Sequence, residues 1–389
     1  MRIPIAKCVF GEEELLAVQK PLETGWVVQG PFVRQFEEKF SKFTGASFSI
    51  ATSSCTTALH IAVAALALKP GDEVIVPAFT WIATANVVEY MGGRPIFCDI
   101  DLNTFNIATH QIEALITPRT VGIIPVHLFG LCADMQPIME IAKRHNLWVV
   151  EDAACAFGAY YRGHHAGTFG ETGCFSFHPR KSITTGEGGM ITTQREDVDR
   201  LARALRDHGA SHSDLTQQQE KGTFLLAEYN HLGYNYRMTD IQGALGCAQI
   251  GQAEWILSER HRCATFYDET LAELNWLKTP KVPDGHVHGY QSYVCLFCPN
   301  EPTLNNVEKL YRQRNELMLR LEARGIATRQ GTHAPVILGY YAQKYALRPE
   351  QFPKAYLADR LSLALPLYPQ MTEAEQSLVC QSLREALYA

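Results

Sequence analysis

The chain has 389 residues, more than one ordinary core fills, so two domains sharing an interface are the starting expectation. Lys and Arg number 35 against 41 Asp and Glu, a net charge of −6, so there is no global positive field to collect nucleic acid. A hydrophobic fraction of 46% predicts a chain that folds throughout, and eleven scattered cysteines without the spacing of a disulfide scaffold fit a reducing cytoplasm.

The start, Met1-Arg2-Ile3-Pro4-Ile5-Ala6-Lys7, has no apolar signal region, and no later apolar run reaches the ~20 residues that span a bilayer, so neither export nor membrane insertion is expected. From about residue 47 to 195, short β-branched runs alternate with amphipathic stretches, the pattern of a mostly parallel sheet with helices on its faces. At Ser53-Ser54-Cys55-Thr56-Thr57 a strand meets a helix start. Free N–H groups and the helix dipole there suit a phosphate, although hydroxyls at that place also serve as plain caps. Strands are predicted at Val74–Pro77, Pro95–Cys98, Val121–Pro125 and Leu147–Val150, with crossover helices at Thr84–Met91, Gln111–Ile116 and Met135–His145. After the first of these strands comes Trp81, for which the common fate is the core.

Glu151 and Asp152 close the fourth strand, at the end where open α/β sheets keep their ligands; Asp152 reads as a ligand contact or as a cap on a following helix. His164-His165, in a Gly-rich connection, marks a hairpin. The most specific segment is Phe175-Ser176-Phe177-His178-Pro179-Arg180-Lys181-Ser182, followed by Gly186-Glu187-Gly188-Gly189. A lysine on a short tether between an aromatic strand and a Gly-rich turn suits Schiff-base chemistry, its pKa lowered by a partly dry pocket and the adjacent Arg180 cation. The glycines lack dinucleotide spacing. Gly233 to Gln242 opens a helix with Thr239 near its cap, running to Arg260. Beyond it lie Pro-rich connectors, a strand at Gln291–Cys298 and helices at Asn305–Arg324 and Thr372–Tyr388, a smaller α+β domain; the division is set at 1–250 and 251–389. Cys295 and Cys298 form a lone pair without a second at zinc spacing, so no metal site is expected.

The segment around Lys181 closely resembles the sugar aminotransferases of the DegT/DnrJ/StrS type, and the likeness extends in order from Gly25-Trp26 and Gly30-Pro31 to Gln242. The resemblance implies the α/β fold-type-I architecture of pyridoxal-phosphate (PLP) transferases, with Lys181 holding PLP covalently and shuttling protons and Asp152 facing the pyridine nitrogen. It implies further that Cys55, Thr56 and Ser176 meet the phosphate, that Trp81 stacks on the ring, and that Asn235 reaches the phosphate in a neighbouring subunit of a homodimer with shared sites. Cys155 stands where the family commonly has Gln, beside the ring oxygen, and a thiol is a poorer donor. His333, and with it Arg237, are assigned to the substrate. The implied partners are L-glutamate and a nucleotide-diphosphate keto sugar, with the pyridoxamine phosphate (PMP) form between the half-reactions and an amino sugar for polysaccharide or antibiotic synthesis as product. A PMP-dependent dehydratase, which replaces the lysine with histidine, and a non-catalytic relative are the competing readings.

Overall fold

The computed structural model describes residues 2–210 and 228–386. Two helices open the chain, α1 (Glu12–Thr24) and α2 (Pro31–Thr44); Pro31 sits at the first helical position and Gly45, at φ 79°, ends the helix in the left-handed region. The βα alternation follows: β1 (Phe48–Thr52), α3 (Cys55–Ala65), β2 (Glu73–Pro77), α4 (Ala83–Tyr90) and β3 (Arg94–Cys98). After the short α5 (Thr109–Ile112) come β4 (Thr120–Ile123), α6 (Met135–His145) and β5 (Trp148–Asp152). A small hairpin, β6 (Tyr160–Tyr161) and β7 (His164–His165), precedes β8 (Thr172–Ser176), β9 (Gly189–Thr193) and α7 (Glu196–Arg206).

Seven of these strands form one sheet in the order β1-β9-β8-β5-β4-β2-β3. All run parallel except β9, which is antiparallel to both its neighbours. The strands are continuous apolar runs because helices cover both faces, as in β2, buried along its whole length. Gly189 opens β9 where a Cβ would lie 2.3 Å from the Ser54 carbonyl oxygen, so glycine alone lets β9 run against the start of α3.

Two predicted helices come out differently. Gln111–Ile116 is one α-helical turn continued as a 3-10 turn at Glu113–Leu115, and the chain is already extended at Ile116 (φ −73°, ψ 128°), two residues before Pro118. Thr239–Arg260 is two helices, α8 (Asp240–Gly251) and α9 (Ala253–Leu271), which break at Gln252 (φ −98°, ψ 6°) after the glycine.

The remainder builds a second layer from β10 (Leu277–Lys278), β11 (His286–Val287), β12 (Tyr293–Phe297), α10 (Val307–Ala323), α11 (Gly339–Tyr345), α12 (Pro353–Leu361), β13 (Ser362–Leu365) and α13 (Glu373–Ala386). Its sheet is antiparallel, in the order β10-β12-β13, whereas β11 pairs with β6. The first residues of the chain lie along this layer, with Ile3 bonded to Gly325 and Ala327. Among the described residues no helix is long and apolar enough to cross a membrane.

Candidate active site

The C-terminal ends of β2, β5 and β8, the start of α3 and the loop before η-turn Pro335–Ile337 converge on a cavity of about 1310 Å³. Cys55, Thr56, Trp81, Asp152, Cys155, Ser176, Lys181 and His333 all line it. The start of α3 is shaped by Ser54, whose hydroxyl accepts the Thr57 N–H at 3.2 Å. That leaves the amides of Cys55 and Thr56, which no helical carbonyl can reach, at the cavity wall. Cys55 is the first helical residue and has no positive φ.

Asp152 is 4% exposed. Its Oδ2 accepts the Thr84 hydroxyl at 2.7 Å and its Oδ1 the Ala154 N–H at 3.2 Å. Turns rather than a helix follow β5, so the carboxylate caps nothing and faces the cavity. Burial pushes its carboxyl above the usual range, opposed by the Thr84 hydroxyl and the Ala154 amide. Glu151, on the other side of the strand, has a structural role. Its two oxygens accept N–H groups from Gly167, Phe169 and Gly170 at 2.7 to 2.8 Å, and His127 Nε2 lies 2.8 Å away. The Ala133 N–H points at His127 Nδ1 (3.0 Å), which makes Nε2 the nitrogen that donates to Glu151.

Lys181 sits in a loop tied at its base, where the Phe177 N–H bonds the Gly188 carbonyl and the Thr185 N–H bonds the Phe177 carbonyl. Its Nζ donates to Cys155 Sγ at 3.1 Å. The expected lowering of its pKa by Arg180 is overturned. Burial does favour the neutral amine, but the sulfurs of Cys155 and Cys55 and the Asp152 carboxylate outweigh it and raise the pKa above the ordinary lysine value. Arg180 is exposed and takes no part in that balance.

Trp81 is 57% exposed on the cavity wall, so it is no core tryptophan, and its ring lies 6.1 Å from that of His333. Asn235 and Arg237 do not line the cavity of their own chain; Asn235 is exposed and Arg237 is ion-paired with Asp207. Sequence reading missed Thr84, placing it as an ordinary helix residue. The signal available was a hydroxyl pair at Thr80 and Thr84, one helical turn apart just after a strand, whose side chains meet at 2.9 Å.

The model of the DegT/DnrJ/EryC1/StrS aminotransferase family matches residues 9–384. The chain is 39% identical over 388 residues to the GDP-perosamine synthase of Caulobacter vibrioides, covering 99% of this chain and 98% of that protein. It is 34% identical over 383 residues to the spore coat polysaccharide biosynthesis protein SpsC of Bacillus subtilis, covering 98% and 96%. Among solved structures, Spr1654 of Streptococcus pneumoniae, in its PMP form, superposes with a TM-score of 0.91 at 25% identity, covering 99% of both chains, and its PLP form with 0.90.

Proposed function

The chain belongs to the DegT/DnrJ/EryC1/StrS aminotransferase family, and we propose that it moves the amino group of L-glutamate onto a keto group of a nucleotide-linked sugar, with PLP held at Lys181. One observation carries this reading: Lys181 and the buried Asp152 face a single cavity that also contains the open amides of a helix start. The donor set fits the cofactor. Asp152 is a buried anion with no ion pair among the described residues, and a protonated pyridine nitrogen is the cation it lacks. Ser176, Cys55 and Thr56 would hold the phosphate, Trp81 would lie against the ring, and Cys155 would neighbour the ring oxygen.

When bound, PLP supplies an aldehyde that exchanges amines and a ring that spreads the electron pair left when a Cα–H bond breaks. The chain's own part is proton work and charge. With PLP bound, the Lys181 amine, as free base, would take the Cα proton of the donor and, as ammonium, pass it to the former aldehyde carbon of the cofactor. In the acceptor half it would carry a proton from that carbon to the sugar carbon; Cys155 Sγ, 3.1 Å from Nζ, would receive the amine whenever it is free. Asp152, whose ionised form the Thr84 hydroxyl and the Ala154 amide favour, would stabilise positive charge at the ring nitrogen. Arg180 and Arg329 also line the cavity and make no ion pair among the described residues, so they are open to the carboxylates of a donor or the diphosphate of an acceptor. The name of the Caulobacter relative, a GDP-perosamine synthase, makes a GDP-linked sugar the first acceptor to try.

The same reading takes the enzyme as a cytoplasmic homodimer divided at residues 250 and 251. Exposed Leu15, Leu16, Leu22, Val27 and Val28 near the N-terminus, and an Asn235 turned away from its own cavity, support a second subunit; eleven free thiols support a reducing compartment. Glutamate added to the purified, PLP-loaded protein should remove the visible absorption band of the bound cofactor. A panel of nucleotide-linked 3-keto and 4-keto sugars, read by mass spectrometry, should then yield an amino sugar. Lys181→Ala should show neither the band nor turnover. A wild-type spectrum unchanged by glutamate would refute the reading and favour a binding protein.

A further inference from the structure

Under the rim of the cavity, a chain of polar side chains leads from the interior of the C-terminal layer to His333. It begins at Arg314 on α10, 2% exposed, which donates to the Ser362 carbonyl at 2.9 Å and to Gln330 Oε1 at 3.5 Å. A guanidinium has donors only, so the oxygen of the Gln330 amide faces Arg314 and its NH2 group faces away. That NH2 lies 2.8 Å from the Thr332 carbonyl, 3.2 Å from Asp359 Oδ1 and 3.4 Å from His333 Nδ1. Its two protons go to the two nearer oxygens, which leaves none for the imidazole nitrogen. Asp359, on α12 and 3% exposed, also accepts the Ala334 N–H at 2.9 Å, and Arg360 Nη1 is 3.7 Å from its Oδ2. Its Oδ1 stands 3.9 Å from His333 Nδ1. The His333 side chain is 47% exposed and lines the cavity beside Trp81.

Burying a carboxylate is costly, and a cap for the Ala334 amide alone would not require one, since a neutral side-chain oxygen also accepts an N–H. What a carboxylate adds is a demand for a proton donor, and His333 Nδ1 is the cavity-facing group within reach. At 3.9 Å the two atoms lie beyond hydrogen-bond distance, and a rotation of the half-exposed imidazole would close the gap. We propose that Asp359 is a positioning residue for the acceptor half-reaction: it holds the proton of His333 on Nδ1, so that Nε2 offers a lone pair to a hydroxyl of the keto sugar. This rests on the aminotransferase reading and names how that site selects a polyhydroxylated acceptor. The glutamate half-reaction does not use the pair.

The test separates the two half-reactions of the PLP-loaded enzyme. In His333→Ala and Asp359→Asn, the rate at which glutamate removes the visible band should fall far less than the acceptor half-reaction does. With the GDP-linked 4-keto sugar, or whichever panel member the wild type aminates, kcat/KM should fall about 10- to 100-fold in each. The double variant should be no worse than either single one. An acceptor lacking the contacted hydroxyl should reproduce the loss in wild type and bring no further loss in His333→Ala, which holds even should Asp359→Asn fold poorly. As a readout apart from turnover, 15N-histidine NMR should find the His333 proton on Nδ1 in wild type and displaced in Asp359→Asn. Equal slowing of both half-reactions, additive losses, or an unchanged tautomer in Asp359→Asn would overturn the proposal and leave Asp359 a loop support. A wild type that ignores glutamate is a different failure, since it removes the activity itself.

Discussion

The cavity depends on how single groups are kept in the charge state the chemistry needs. Asp152 is the clearest case, because burial works against its ionised form, and the Thr84 and Ala154 hydrogen bonds, aided by the nearby Lys181 ammonium, work for it. Removing the 2.7 Å bond by Thr84→Val keeps the volume but leaves one carboxylate oxygen in a dry site without its donor. The expected outcome is a glutamate half-reaction slowed roughly 10-fold, about 1.4 kcal/mol, with recovery in Thr84→Ser. Asp152→Asn, which would also remove the charge proposed to face the ring nitrogen, should cost roughly 10²- to 10³-fold. Stopped-flow absorbance of the visible band checks both. Thr84→Val at the wild-type rate would mean that the hydroxyl does not hold the carboxylate in its working state. The contrast between Lys181 and Thr84 shows what a sequence carries. Lys181 is legible because its strand, tether and glycines are contiguous, whereas Thr84 meets Asp152 across 68 residues, and the local Thr80–Thr84 hydroxyl pair does not say which carboxylate it serves. Asp359 and His333, brought together by the packing of α12 under a loop, are hidden for the same reason.

At the scale of elements, the site is held in place by close backbone crossings that only glycine allows. The chain at Gly167 to Gly170 passes over β8 to deliver its N–H groups to Glu151, and a Cβ at Gly173 would lie 2.4 Å from the Gly167 backbone. Gly173→Ala must therefore part the two segments. Forcing such a contact costs on the order of 1–3 kcal/mol, and since β8 ends in Ser176 the shift should also weaken PLP binding. Urea unfolding at fixed protein and cofactor concentration, together with cofactor titration, measures both; an unchanged midpoint would show that the crossing has slack. The parallel strands were readable because their apolar runs are a local consequence of burial on both faces. The reversal of β9 was not, since an antiparallel strand buried on both faces has the same composition as a parallel one. The single long helix expected from Thr239 shows the opposite error, in which continuous periodicity concealed a break that Gly251 permits.

Across the whole molecule, buried neutral histidines tie distant parts of the fold together and make its stability depend on pH. His165, 2% exposed, accepts the Gly158 N–H at Nε2 (3.0 Å) and donates from Nδ1 to the Ala166 carbonyl (2.6 Å), linking the β6–β7 hairpin to the aromatic core around Phe157 and Phe175. His288, 3% exposed, accepts the Tyr290 N–H and stacks on that ring 4.1 Å away. Neither has a free lone pair at which to take a proton without losing a backbone bond, and burial lowers their pKa values from 6.5 to about 4 and about 3. Because the folded-state values lie below the unfolded one, the unfolded chain binds the extra proton. Their contribution is thus complete above pH 6.5 and is lost as pH falls toward 4 and 3, by about 1.4 kcal/mol per pH unit for each residue. Carboxylates such as Glu37, buried with Arg203 and Arg206 and lowered from 4.5, lose their contribution only below that value, whereas those raised by burial, such as Asp199 and Asp268, act with the opposite sign and cancel when a single-histidine variant is compared with wild type between pH 6.5 and 5. His60, His178 and His261, also lowered by burial, add to the slope in that interval in any variant that retains them. His165→Gln keeps an amide able to serve both backbone partners but cannot titrate. Urea midpoints of the loaded enzyme between pH 6.5 and 5 should therefore fall less steeply in His165→Gln than in wild type, by up to about 1.4 kcal/mol per pH unit. Parallel slopes would mean that His165 takes up its proton in the folded chain, and the hairpin would then have to give up the Gly158 bond without loosening the sheet beneath the active site.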